Sequence, residues 1–353
     1  MATNYRILIL GASYGSLLGA KLALAGHDVK LICLPEEIAL INSEGARVRL
    51  PARGVEGLVE LNSQEMQGDL SAAGPTDVNP LDYDLVGLAM QEPQYGVPEV
   101  SALLNSVATS GVPCMSIMNM PPLAFLRRIQ SIDADGIRDS YTDPGVWDNF
   151  DPALITLCSP DPQAFRPPEE KINVLQVGLP TNFKAARFDS EPHTDILRNL
   201  EADIQAVRYI VEGNEVELPV KLRVHESLFT PLAKWSMLMA GNYRCVQETG
   251  MRPIKEAVHS DLSAARSVYE WVVDLCEKLG GDRGDLVHFD KYANAALSLV
   301  NPSSAARALA NGAQNIERVD RLVQALAAQN GMQSDAVDET VELVDGWLEK
   351  NRA

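Results

Sequence analysis

Positive charge is scarce in this 353-residue chain: 30 Lys and Arg face 48 Asp and Glu, a formal net charge of −18. Nucleic-acid binding needs a basic face that replaces the counterions of the phosphates, so this balance argues against nucleic acid as a partner. It disfavours docking on an anionic membrane surface for the same reason. A small anionic substrate stays open, because one buried Lys or Arg sets its own local potential.

Cysteine is sparse and unpatterned. Cys33, Cys114, Cys158, Cys245 and Cys276 are an odd set with no C-x-x-C pair. That spacing predicts free thiols in a reducing, cytoplasmic setting, with neither a disulfide framework nor a zinc site. Long hydrophobic runs are missing too: nothing approaches 18 consecutive apolar residues, so no membrane-spanning helix is expected. The first six residues carry no basic segment followed by a separate apolar one, which argues against a secretory signal. There is no H-E-x-x-H, no G-x-S-x-G and no P-loop, and the acidic residues are scattered, so no metal site is expected. No internal repeat is visible.

What the sequence does contain begins at Arg6 to Leu10 (RILIL), a short continuous apolar run as expected of a strand buried on both faces of a parallel sheet. Gly11 ends it, Gly15 to Ala25 reads as a helix, Gly26 to Asp28 as a turn, and Val29 to Leu34 as a second buried strand. Strand, glycine turn, helix and strand within about 30 residues make a βαβ unit. Gly11, Ser13, Tyr14 and Gly15 occupy the place of a Rossmann phosphate loop, where glycine permits a tight turn and the helix N-terminus supplies N–H donors to a pyrophosphate. A strict G-x-G-x-x-G is absent: Ser13 stands at the second glycine, and Gly15 arrives one residue early. At the end of the second strand, Leu34 and Glu36 are the candidates for contact with the adenosine ribose. An acid here selects NAD and an arginine selects NADP, so the sequence leans to NAD over NADP. Glu36 and Glu37 read equally well as acids opening the next helix.

Strands at Asp84 to Met90 and Pro113 to Met118 flank a helix at Pro98 to Thr109, and strand-like pieces follow at Leu154 to Cys158 and Asn173 to Val177. Met90, ending its strand, joins the cofactor-contact candidates. From Thr194 helical periodicity takes over, at 194–212, 226–248, 254–280, 285–299, 303–330 and 335–350. The fold expected is α/β: a Rossmann-type parallel sheet domain (1–188, with an extended connection) followed by an all-helical domain (189–353).

The stretch Gly15 to Val29 (GSLLGAKLALAGHDV) resembles the opening of ketopantoate reductases. That family carries Lys-x-x-x-Asn-x-x-x-Asn on the first long helix of its helical domain, and Lys234 and Asn242 match its first and third positions, with Leu238 at the second. Residues four and eight apart share one helical stripe, about 12 Å from end to end. The resemblance implies a nicotinamide-dependent reductase of a small oxo or hydroxy acid, in which Lys234 donates the proton. It further implies that Asn119 faces the nicotinamide and substrate, and that a late helix supplies a Ser and, twelve residues on, a Glu. Counted back from Gly331 without gaps, these fall on Ser303 and Asn315. Ser303 reads equally well as a helix N-cap. The arginine and lysine that the family uses for NADP correspond to Leu34 and Ala89, and the substrate pocket has lost polar groups, so ketopantoate itself is not the expected substrate. The family also suggests a homodimer, whereas the apolar faces near 262–279 and 316–328 read first as packing within the domain. Two rivals stand: an opine-type or other hydroxyacid dehydrogenase with a histidine acid (His225, His259 or His288), and a non-catalytic dinucleotide-binding protein.

Overall fold

The computed structural model describes residues 3–353, which form two compact units. The first comprises the chain up to Met90, Val97–Met118 and Val146–Glu226; the second comprises Gln91–Gly96, Asn119–Gly145 and Ser227–Ala353.

The first unit is built on an eight-stranded sheet. In spatial order its strands are Leu222–His225, Phe183–Ala186, Ile155–Ser159, Cys114–Ile117, Leu85–Leu88, Arg6–Leu10, Asp28–Ile32 and Leu70–Ala73. All neighbours run parallel except Phe183–Ala186 against Ile155–Ser159. The central strands are buried along nearly their whole length, which is why their sequences are unbroken apolar runs. A smaller sheet orders Leu58–Asn62, Arg47–Pro51, Val174–Leu179 and Gln163–Phe165.

The sheet domain extends further than the expected end at residue 188. Helix Glu191–Ala206 buries Thr194, Leu197, Leu200 and Ile204, a stripe at helical spacing. Leu222–His225 then adds a parallel strand beside Phe183–Ala186. Periodicity identified the helix, but it carries no information about which core receives the apolar face. The expected helix also stops at Ala206, and a hairpin pairs Tyr209–Val211 with Asn214–Val216. Its two turn residues, Glu212 and Gly213, both have positive φ (51° and 83°), the backbone of a tight two-residue hairpin turn.

The second unit is helical, and its helices are shorter than their periodicity suggests. The expected 254–280 divides into Ile254–His259 and Leu262–Lys278, where the Asp261 side chain accepts from Ala264 N–H (2.9 Å) and starts the second helix. The expected 303–330 divides into Ser304–Ala310 and Val319–Gln329. The expected 226–248 contains one α-turn, Lys234–Met237, that widens into a π-turn over Leu238–Asn242 and tightens again over Tyr243–Cys245. Such widened turns recur at functional sites, because they re-aim the side chains around them. Among the described residues no helix is long and apolar enough to cross a membrane.

Gly241 makes the wide turn possible. A Cβ there would lie 1.9 Å from the Tyr292 hydroxyl oxygen, and that hydroxyl donates to the Met237 carbonyl (3.1 Å). Gly241→Ala is therefore expected to lower stability by about 1–3 kcal/mol, measured as a fall in Tm. Adding Tyr292→Phe, which removes the clashing oxygen, should recover part of the loss.

Candidate active site

In the sheet unit, Gly11 turns with φ +107°, and its N–H donates to the Ile32 carbonyl (2.8 Å). A Cβ at Gly11 would sit 2.6 Å from the Ala89 carbonyl oxygen and 3.0 Å from Met90 Cγ. Only glycine fits here. Gly15, the first residue after Tyr14 in helix Tyr14–Leu24, fills the close-packing role of the third loop glycine: a Cβ there would come within 2.9 Å of Ile9 Cγ2. Ser13 precedes the helix without capping it by its side chain, and the N–H groups of Ser13 and Gly15 meet no acceptor among the described residues. This cradle suits a pyrophosphate: the turn is tight, its amides are open, and a helix starts on it. Gly11, Ser13, Tyr14, Gly15 and Met90 are thus gathered at one turn. Leu34 is 65% exposed and precedes helix Pro35–Glu44, in whose first turn Glu36 is also exposed.

In the helical unit, three chain segments meet on one carboxylate. Asn119 Nδ2 donates to Glu317 Oε2 (3.2 Å), and the backbone N–H of Glu92 donates to the same group. Lys234 is near enough for its charge to act on Glu317. Burial pushes the Glu317 carboxyl up to about 7, against the downward pull of Asn119, the Glu92 N–H and Lys234; the Glu92 carboxylate adds to the rise. Glu92 is itself buried, accepting from Thr142 N–H and Thr142 Oγ1 (both 2.9 Å), and its pKa is raised chiefly by burial.

The segment that carries Lys234 also fixes Glu317. The buried hydroxyl of Tyr243 donates to the Glu317 carbonyl and accepts from Val319 N–H (3.0 Å), clamping both sides of Arg318. Arg318 in turn pairs with Asp320 (3.0 and 2.9 Å) and Asp345 (2.5 Å), which anchors the start of helix Val319–Gln329. The carboxylate is held from its side chain and its backbone alike.

Of the residues picked out by spacing, Lys234 and Asn119 join this cluster. Asn242 lies at the end of the widened turn, and its carbonyl accepts from Ser303 Oγ (2.7 Å). The same Ser303 oxygen accepts from Ala306 N–H (3.2 Å), so Ser303 is an N-cap that ties helix Ser304–Ala310 to the wide turn. Asn315 is placed elsewhere: it is exposed and accepts from Arg352 (2.9 Å). The gapless count assumed one helix over 303–330, whereas the chain between Ala310 and Val319 is irregular and turns at Gly312 (φ +84°). The acid that meets Asn119 is Glu317, two residues on. A signal for it existed in the sequence, an acid directly before Arg318 and the periodic apolar run of the next helix. Two histidines of the rival scheme lie apart from the cluster: His259 is tied to the Ala293 carbonyl (2.9 Å), and exposed His288 precedes helix Phe289–Ala296.

A carboxyl whose folded pKa lies above its unfolded value of 4.5 favours folding when protonated, and that contribution fades as pH rises from about 4.5 through about 7. Glu317→Gln should therefore raise Tm more at pH 8 than at pH 5. An equal change at both pH values would place Glu317 in a water-like environment.

No protein-family model matches the sequence, and no curated protein does so. Solved structures match along almost the whole chain. D-mandelate dehydrogenase in complex with NADH and anilino(oxo)acetate aligns with a TM-score of 0.65 at 14% identity, covering 99% of each chain. The 2-dehydropantoate 2-reductase of Methylococcus capsulatus aligns with a TM-score of 0.65 at 12% identity, covering 99% of this chain and 98% of that one. A ketopantoate reductase of Ralstonia eutropha gives 0.62 at 14%, covering 99% of this chain and 100% of that one. The chain therefore has the fold shared by the ketopantoate reductases and D-mandelate dehydrogenase.

Proposed function

We propose that this protein is a nicotinamide-dependent oxidoreductase that interconverts a small 2-oxo acid and its 2-hydroxy acid. The observation that carries the reading is Glu317: a half-buried carboxyl whose pKa is pushed up, held by Asn119 and within the electrostatic reach of Lys234. A structural ion pair does not need a third polar side chain in attendance, and perturbed acids beside a lysine are a mark of proton-transfer sites. The glycine turn supports the cofactor half of the reading, since its fit to a pyrophosphate rests on the Gly11 backbone and on open amides. The shared fold supports it further, because one neighbour of that fold holds NADH with an oxo acid analogue.

When bound, the nicotinamide supplies or accepts hydride at the substrate carbon. Lys234 hydrogen-bonds the carbonyl oxygen, stabilises the negative charge that develops there and donates a proton to it. In the opposite direction its neutral amine removes the hydroxyl proton. Glu317 lies within the electrostatic reach of Lys234 and accepts from a hydroxyl or ammonium group on the substrate. Asn119 and Asn242 provide amides for the substrate's polar end. Leu238 stands where the ketopantoate reductase pattern has an asparagine and is buried, so the chain offers one amide fewer. This favours an oxo acid with a less polar tail than ketopantoate.

Lys234→Ala is expected to lower kcat by about 10²–10⁴-fold while leaving the Kd of the dinucleotide unchanged within error. The measurement is steady-state reduction of a panel of 2-oxo acids with aliphatic and aromatic tails, alongside calorimetric titration of the dinucleotide. Full turnover in that variant would remove Lys234 from the proton path. Failure of the native protein to bind either dinucleotide would overturn the reading as a whole.

A further inference from the structure

We infer that Arg166 holds the adenosine 2′-phosphate of NADP, so that this protein prefers NADPH to NADH; the inference rests on the dinucleotide reading above and names a residue for its specificity. In an open parallel sheet the adenosine ribose lies beyond the end of the second strand, where an acid selects a free 2′-hydroxyl and an arginine selects a 2′-phosphate. The strand end itself offers no charge here, because its exposed residue is Leu34. The charge arrives from a distant part of the chain. Arg166 follows strand Gln163–Phe165 of the smaller sheet, and its Nη2 reaches the Ala12 carbonyl of the glycine turn (3.3 Å) and the Glu37 carboxylate. Cys33, just before Leu34, lies within the electrostatic reach of both Glu37 and Arg166. The guanidinium thus stands between the phosphate turn and the ribose end.

Glu37 does not compete for the ribose. Its side chain is 6% exposed, one oxygen accepts from Leu34 N–H (3.1 Å) and the other from Arg166. It fixes the guanidinium from beneath. The Arg166 side chain is 31% exposed, and its Nε and Nη1 donors meet no acceptor among the described residues. Three N–H groups in a rigid plane are what a phosphate dianion takes up in a forked pair. The exposed acid Glu36, in the same helical turn, is the competing feature: were it to hold the ribose hydroxyls, NADH would bind more tightly.

The test is calorimetric titration of the full-length protein with NADPH, NADH, adenosine 2′,5′-bisphosphate and AMP. The native protein should bind NADPH about 10-fold or more tightly than NADH, and the bisphosphate above AMP in similar proportion. Arg166→Gln should erase both preferences while leaving NADH affinity within about twofold. The double variant R166Q/E37Q, which leaves no buried unpaired acid, should behave alike if the single variant folds poorly. Glu37→Gln alone should strengthen bisphosphate binding, because it frees the guanidinium from its carboxylate; a purely structural ion pair predicts no gain. Equal or tighter binding of NADH by the native protein, or a preference that survives R166Q, overturns the inference and leaves the oxidoreductase reading standing. Binding of neither dinucleotide overturns both.

Discussion

A half-buried carboxyl within reach of a lysine's charge, Glu317 with Lys234, is the constraint on which three segments of the helical unit converge. Partial burial of Glu317 disfavours its charged form, and the fold offsets this with an amide from Asn119, a backbone N–H from Glu92 and the charge of Lys234. These three partners come from three separate stretches of chain, which explains why Gln91–Gly96 and Asn119–Gly145 group with the C-terminal helices although they follow sheet strands in sequence. Buried Glu92 anchors the first stretch to the second through Thr142. Tyr243 anchors the third, clamping the backbone on either side of Arg318 from the very segment that bears Lys234.

The sheet unit obeys a different constraint, one of space. Its glycine turn has room for a backbone and nothing more, with the Ala89 carbonyl on one side and the helix packed on Ile9 at Gly15. The departures from a strict glycine fingerprint fall where side chains are harmless: Ser13 is exposed, and the hydroxyl of Ser16 folds back onto the Ala12 carbonyl (2.5 Å). The irregular spelling therefore conceals a turn of ordinary shape.

The interrupted helices follow the same logic. A regular helix through 226–248 would place its side chains on a straight stripe. The π-turn at Leu238–Asn242 instead brings the Asn242 carbonyl to Ser303 and creates the space that the Tyr292 hydroxyl occupies beside Gly241. The break between Ala310 and Val319 lets an irregular segment, not a helix face, present Glu317.

The sequence alone determined what depends on near neighbours. The strand, turn and helix at Arg6 to Leu24 follow from local sterics and hydrophobic periodicity, as do the α/β-then-helical order and the helical placement of Lys234. Tertiary structure decided what depends on distant partners. The edge of the sheet domain moved to Glu226 because an amphipathic helix specifies a buried face but not the surface that buries it. The acid that meets Asn119 is Glu317 and not position 315, because a count along the chain cannot register a break in a helix. Arg166 was invisible because it acts on Ala12 and Glu37, 154 and 129 residues away, through the folding of a second sheet that no local pattern announces.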